Sequence, residues 1–257
     1  MKRILSFIIM LIMLSAIPIN VAARSTNATS WYIKRNGNLR PGLDKSQEII
    51  YKYDGYYIDN KLSDDSKERK IYLTFDLGYS NVNTEIILDV LKSNNVKAAF
   101  FILDNIILKN KDLVTRMIED GHLICNHTKK HKNLTTLTEE EIREDLTSLE
   151  RLMEEKTGHN LSKYFRFPEG KYSESSLKAV KDLGYKSIFW SFAYADWDNR
   201  NQMSTEKAFK KVIENTHNGA VMLFHPTSKT NAQIFERLIN EWKTMGYEFG
   251  TLDHLTK

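Results

Sequence analysis

The 257-residue chain holds one cysteine, Cys125, with only four prolines and 11 glycines. A lone thiol forms no internal disulfide, so stability must come from a packed core. So few prolines and glycines exclude a collagen-like repeat and leave little material for long flexible linkers. No glycine fingerprint of the dinucleotide or P-loop type follows any apolar run, which removes the nucleotide-binding classes those motifs mark. Excess charge is also scarce: 37 Lys and Arg oppose 33 Asp and Glu, a net of +4.

What is present describes a globular chain, 41% hydrophobic and 27% charged. It opens with Met1-Lys2-Arg3, an apolar run from Ile4 to Ile17 interrupted only by Ser6 and Ser15, then Pro18 and Val21-Ala22-Ala23. A basic start, a short apolar stretch and small residues at the end predict a secretory signal peptide over residues 1–23. The run is shorter than the roughly 20 residues of a spanning helix. An uncleaved anchor is the other reading, and it is the one route to a membrane. Cleavage after Ala23 removes two of the 37 cations, leaving 35 against 33 and a charge of +2. No nucleic-acid partner is expected at that balance.

Residues 24–69 read as an N-terminal extension. They are polar and turn-rich, and Tyr51, Tyr53, Tyr56 and Tyr57 cluster around a turn. These tyrosines are expected to anchor the segment on the main domain, with stacking on sugar rings as the alternative. From Ile71 the pattern alternates. Strands are expected over Ile71–Phe75, Val96–Leu103, Leu123–Asn126, Lys186–Trp190, Ala220–Phe224 and Tyr247–Leu252. Helices are expected over Asn83–Ser93, Leu108–Ile118, Thr138–Lys156, Ser175–Leu183, Thr205–Thr216 and Asn231–Met245. Thr138-Glu139-Glu140-Glu141 resembles a capping box. Short apolar strands separated by helices indicate an α/β fold with a parallel sheet covered on both faces. In a barrel of this kind the chemistry sits at the C-terminal strand ends.

Those ends carry polar groups that a core would not select. Asp76 follows the first strand, His127 and His131 follow Leu123–Asn126, and His225 follows Ala220–Phe224. Arg166 lies near Tyr164-Phe165, and Asp196-Trp197 follows the Lys186 strand. The i, i+4 spacing of His127 and His131 would put both imidazoles on one side of a helical turn, as a divalent metal requires. A metal-bound water is acidic enough for a carboxylate such as Asp76 to deprotonate, and His225 is placed to protonate a leaving group. The combination suits metal-assisted hydrolysis.

Thr74-Phe75-Asp76, His127-Thr128-Lys129-Lys130-His131, Arg166-Phe167-Pro168-Glu169-Gly170, Asp196-Trp197 and Leu223-Phe224-His225 resemble, in order, the motifs of the NodB-homology polysaccharide deacetylases, carbohydrate esterase family 4. The resemblance covers about residues 70–251, leaving 252–257 as a C-terminal tail. Lys52-Tyr53-Asp54-Gly55-Tyr56-Tyr57 and Ser191-Phe192-Ala193 look like its delta-lactam-forming branch, the peptidoglycan N-acetylmuramic acid de-N-acetylases of spore formers. It implies a distorted (β/α) barrel with Asp76 as general base, His225 as general acid and Arg166 orienting Asp76. His127 and His131 would bind a zinc-like divalent metal, with Trp197, Asp196 and Tyr79 at the sugar. It also implies an exported monomer acting on peptidoglycan glycan strands in the cell envelope or spore cortex, after an amidase has removed stem peptides. N-acetylglucosamine units or chitin oligomers are alternative substrates, and a glycan-binding pseudoenzyme is an alternative class.

Two positions depart from the family pattern. Leu77 stands where a second Asp usually ligates the metal, which predicts weaker metal binding, rescue by another ligand, or a metal completed by waters. Ala193 stands where many members place an Asp that tunes the general acid, a role open to Asp196. Cys125 is expected as buried filler and His122 as structural, while His159, His217 and His254 are expected at the surface.

Overall fold

In the computed structural model, which describes residues 28–35 and 37–257, strands and helices alternate along most of the chain. The expected signal peptide, residues 1–23, lies outside the described residues. The strands are β1 (Thr29–Ser30), β2 (Gly55–Tyr56), β3 (Lys70–Leu77), β4 (Ala99–Ile102), β5 (Leu123–Asn126), β6 (Ser162–Phe165), β7 (Lys171–Tyr172), β8 (Lys186–Ile188), β9 (Ala220–Phe224) and β10 (Glu248–Gly250). The helices are α1 (Ile49–Lys52), α2 (Val82–Ser93), α3 (Asp104–Lys109), α4 (Lys111–Glu119), α5 (Glu139–Thr157), α6 (Glu174–Asp182), α7 (Thr205–Glu214), α8 (Lys229–Thr244) and α9 (Leu252–Leu255). Among the described residues no helix is long and apolar enough to cross a membrane.

Strands β3, β4, β5, β6, β8 and β2 pair in that order, all parallel, with β9 on the other flank of β3 and β10 beside its first residues. Just past β8, Phe192 bridges Met222 of β9, so the sheet curls back on itself as a distorted barrel. Strand β3 shows why the layers form. Ile71, Leu73, Phe75 and Leu77 face outward into the main core, where Leu88 and Leu91 of α2 and Phe235 and Trp242 of α8 cover them. Each such side chain contributes about 1.5–3 kcal/mol on burial. The alternate residues Tyr72, Thr74 and Asp76 face the barrel interior.

Helix α5 begins at the expected capping box: the Thr138 hydroxyl accepts from the Glu141 N–H, and Glu141 accepts from the Thr138 N–H. It ends at Gly158, whose φ of 74° suits glycine. The single helix expected over Leu108–Ile118 is two, α3 and α4, because Asn110 leaves helical geometry at φ −134°.

The N-terminal extension is part of the barrel and its packing. Strand β2 pairs with β8, Gly55 opposite Ser187. Trp31 stacks on Phe189 with ring centroids 4.4 Å apart, and its indole N–H donates to the Trp190 carbonyl at 2.9 Å. Tyr53 and Tyr57 are buried, and the Tyr57 hydroxyl donates to the Pro41 carbonyl at 2.9 Å. Anchoring is what these two do.

Residues 252–257 are likewise more than a tail. Leu252 and Leu255 of α9 complete an interior cluster with Tyr72, Phe101, Cys125 and Val221, closing the end of the barrel opposite the site. Cys125 is apolar filler there, and burial pushes its thiol pKa up. His217, expected at the surface, is buried instead. Its Nε2 is 2.8 Å from the Ser191 hydroxyl and its Nδ1 is 3.0 Å from the Asn215 carbonyl oxygen, so folding satisfies both ring nitrogens.

Candidate active site

The C-terminal ends of β3, β5 and β9 deliver Asp76, His127 and His225 to one cleft of about 880 Å3, with His131, Tyr79 and Trp197 also on its walls. Asp76 is the last inward residue of β3. The Arg166 guanidinium donates to its Oδ1 at 2.8 Å, to the Thr74 hydroxyl at 2.9 Å and to the Ile188 carbonyl at 3.0 Å. Arg166 is fully buried, 4.2 Å above the Phe101 ring. Burial alone would raise the Asp76 pKa, but Arg166, then His127 and His225, outweigh it and hold the carboxyl below its usual range.

His127 is oriented from behind. Its Nδ1 lies 2.9 Å from the Arg166 carbonyl oxygen, which selects the Nδ1–H tautomer and leaves the Nε2 lone pair toward Asp76 Oδ2, 3.6 Å away. Burial pushes the His127 pKa down to about 4, so the imidazole is neutral at pH 7. The His131 ring meets it edge-on, with centroids 4.9 Å apart. No helical turn joins the pair, contrary to the spacing argument. Residues 127–133 form a loop in which Thr128 and His131 take positive φ, 69° and 56°.

Two imidazoles on one wall could hold a divalent ion through two protein donors. A third is not at hand: Leu77 points outward into the core with no exposure. Among the described residues no group of three or more His, Cys, Asp or Glu is arranged to hold a metal. Catalytic zinc sites ordinarily have three protein ligands.

Beside Asp76, past the end of the neighbouring strand β9, His225 is held by Asp196. One carboxylate oxygen accepts from the imidazole Nδ1–H at 2.7 Å, the other from the His225 backbone N–H at 2.8 Å. Burial depresses the His225 pKa, but the Asp196 hydrogen bond and charge, then Asp76, outweigh it and leave it raised. Asp196 was expected at the sugar, yet it is 1% exposed and its carboxylate is taken up by His225 and Asn231. The structure places it behind His225. Trp197 and Tyr79 do face the cleft, 58% and 51% exposed, and Asn199 donates to the Tyr79 hydroxyl at 2.7 Å.

Sequence reasoning missed several contributors. Thr74 holds Arg166, and Asn231 donates to Asp196 at 2.6 Å. Glu169 lines the cleft at a φ of 56° and pairs with Lys171 at 2.5 Å. Glu169 stood inside a quoted motif without a role, whereas Asn231 had no local signal beyond its nearness to His225. Chemically, the arrangement offers a carboxyl held below its usual range, an imidazole held above its own at the neighbouring strand end, and exposed aromatic rings lining the same cleft.

The family model of the polysaccharide deacetylases matches residues 63–188. The peptidoglycan-N-acetylmuramic acid deacetylase PdaA of Bacillus subtilis is 38% identical over 228 residues, 88% of this chain and 85% of that protein. The solved structure of PdaA, a family 4 carbohydrate esterase, matches with a TM-score of 0.83 at 37% identity, covering 89% of this chain and 96% of that one. A peptidoglycan-N-acetylglucosamine deacetylase of Bacillus cereus is 33% identical over 187 residues, 71% of this chain and 66% of that protein.

Proposed function

The chain belongs to the polysaccharide deacetylase family, and we propose that it hydrolyses the acetamide of N-acetylmuramic acid in peptidoglycan. The observation that carries this is the Asp76–His225 pair, a depressed carboxyl and a raised imidazole facing one aromatic-walled cleft. Asp76 takes a proton from the attacking water, whose oxygen bonds to the acetamide carbon. His225 gives its Nε2 proton to the departing nitrogen, the C–N bond breaks, and acetate and an amine leave. Arg166 keeps Asp76 ionised and aimed, and Asp196 keeps His225 protonated at Nδ1. Trp197 and Tyr79 hold the sugar. A zinc-like divalent ion, when bound by His127 and His131, would acidify the water and polarise the carbonyl.

The muramic reading draws support from the identity to the muramic acid deacetylase over most of both chains. Deacetylation of N-acetylglucosamine units is the second reading, favoured by the 33% identity to an enzyme of that substrate. In the first reading the chain is exported and works as a monomer in the envelope after an amidase has removed stem peptides. The freed amine then closes a muramic delta-lactam of spore cortex. Incubation with peptide-stripped glycan strands, followed by acetate assay and mass spectrometry of the sugars, tests this. Acetate lost from muramic positions is expected. Loss from glucosamine positions selects the second reading, and no release with any divalent metal leaves a glycan-binding pseudoenzyme.

A further inference from the structure

The loop that carries His127 and His131 is strained, and polar groups outside the cleft hold it in place. Thr128 is β-branched and buried, yet it sits at a φ of 69°, a region that such residues avoid. Asn126 Oδ1 accepts the Thr128 N–H at 2.9 Å, while its amide donates to the Leu146 carbonyl and the Tyr185 hydroxyl. The Asp104 N–H donates to the Lys129 carbonyl at 3.2 Å, and the Asp104 carboxylate meets the Lys130 ammonium at 3.0 Å. Asp145 Oδ1 accepts the Lys129 N–H at 2.8 Å.

Asp145 is the unusual member. It is 7% exposed on the face of α5 that also buries Ile142, Leu146 and Leu149. A carboxylate gains nothing there from packing, and its burial is unfavourable unless it is hydrogen-bonded. Its partner is the amide midway between the two histidines. We infer that Asp145 is a positioning residue for the histidine pair, fixing Lys129 so that the strained loop holds the His131 ring against His127. This rests on the proposed function for its catalytic consequence only, since the loop geometry stands without it.

The test compares Asp145→Ala with Asp145→Asn in the full chain, because asparagine keeps an acceptor oxygen. Hydrogen exchange at the Lys129 amide should quicken roughly tenfold in the alanine variant, with the Ile124 and Cys125 amides unchanged. Zinc affinity and kcat should each fall roughly tenfold or more, with KM little altered. The asparagine variant should stay close to the parent in all of these. Equal impairment of both variants, or an alanine variant whose Lys129 exchange and zinc affinity match the parent, overturns the inference. Uniformly faster exchange through β5 does so too, because that signals a purely structural role. If the unaltered chain releases no acetate from any glycan, the functional reading fails, and the exchange and zinc measurements still decide this one.

Discussion

Asp196 grips His225 at two points, the imidazole Nδ1–H at 2.7 Å and the backbone N–H at 2.8 Å, from a position 29 residues away in the chain. One carboxylate thus sets both the direction of the ring and the proton that it carries. Asn231 donates to that carboxylate from α8, so the side chain cannot swing toward the cleft without losing a buried partner.

The pH dependence follows from that grip. A general acid works only while protonated, so with His225 in the proposed role the alkaline limb of kcat/KM should report it in the free enzyme. Because the His225 pKa is raised, that limb should lie above the usual imidazole range. Asp196→Asn removes the negative charge, and burial, which lowers the pKa, then prevails. The limb should move acidward, with a lower plateau. A pH profile of acetate release checks this, and an unmoved limb would separate Asp196 from the acid.

The Asp76–Arg166 pair yields a contrast in stability. Arg166 is fully buried, and among the described residues Asp76 is its one carboxylate partner, at 2.8 Å. Arg166→Met keeps the bulk but strands a carboxylate in the barrel, at a cost of about 3–5 kcal/mol. Asp76→Asn keeps an acceptor for Arg166 and should be milder, while acetate release falls by about 10²–10⁴-fold. Urea unfolding and acetate assays on both variants test the order. Equal stability losses would mean that the pair is not acting as one.

Much of this was legible because it is local. Strands β5 and β9 begin and end at the residues expected from the sequence, and Asp76 and His225 stand at strand ends where a parallel barrel puts its chemistry. The rest depended on distant partners. Nothing near Asp196 decides between the sugar and His225, the two places open to it, and nothing near His217 announces Ser191 across the core. The helical spacing of His127 and His131 misled because Thr128 and His131 adopt left-handed geometry that spacing cannot reveal. One signal was visible and unused: an acid, Asp145, interrupts the apolar face of α5.

The aromatic wall should act on binding alone. Trp197 and Tyr79 line the cleft and are 58% and 51% exposed, and the proposed chemistry assigns neither of them a proton or a bond. Trp197→Ala should raise KM roughly five- to tenfold with kcat nearly unchanged, the pattern of uniform binding lost. Steady-state kinetics on defined glycan oligomers would show it. A fall in kcat at constant KM would instead place Trp197 in the chemical step.

Leu77 gives the last prediction, because its direction matters more than its identity. In β3 the residues alternate, so Asp76 faces the cleft while Leu77 faces outward into the main core with no exposure. Replacing Leu77 with Asp therefore delivers a carboxylate to an apolar layer rather than a third ligand to the cleft. The variant should lose about 3–5 kcal/mol of stability, combining lost burial with an unpaired polar group. The unaltered chain, with two imidazoles, should surrender its metal to a mild chelator. Elemental analysis after dialysis, alongside urea unfolding, tests both statements. A Leu77→Asp chain of parental stability that retains one metal through chelation would show that the strand re-aims this position, and that the weak site reflects the side chain alone.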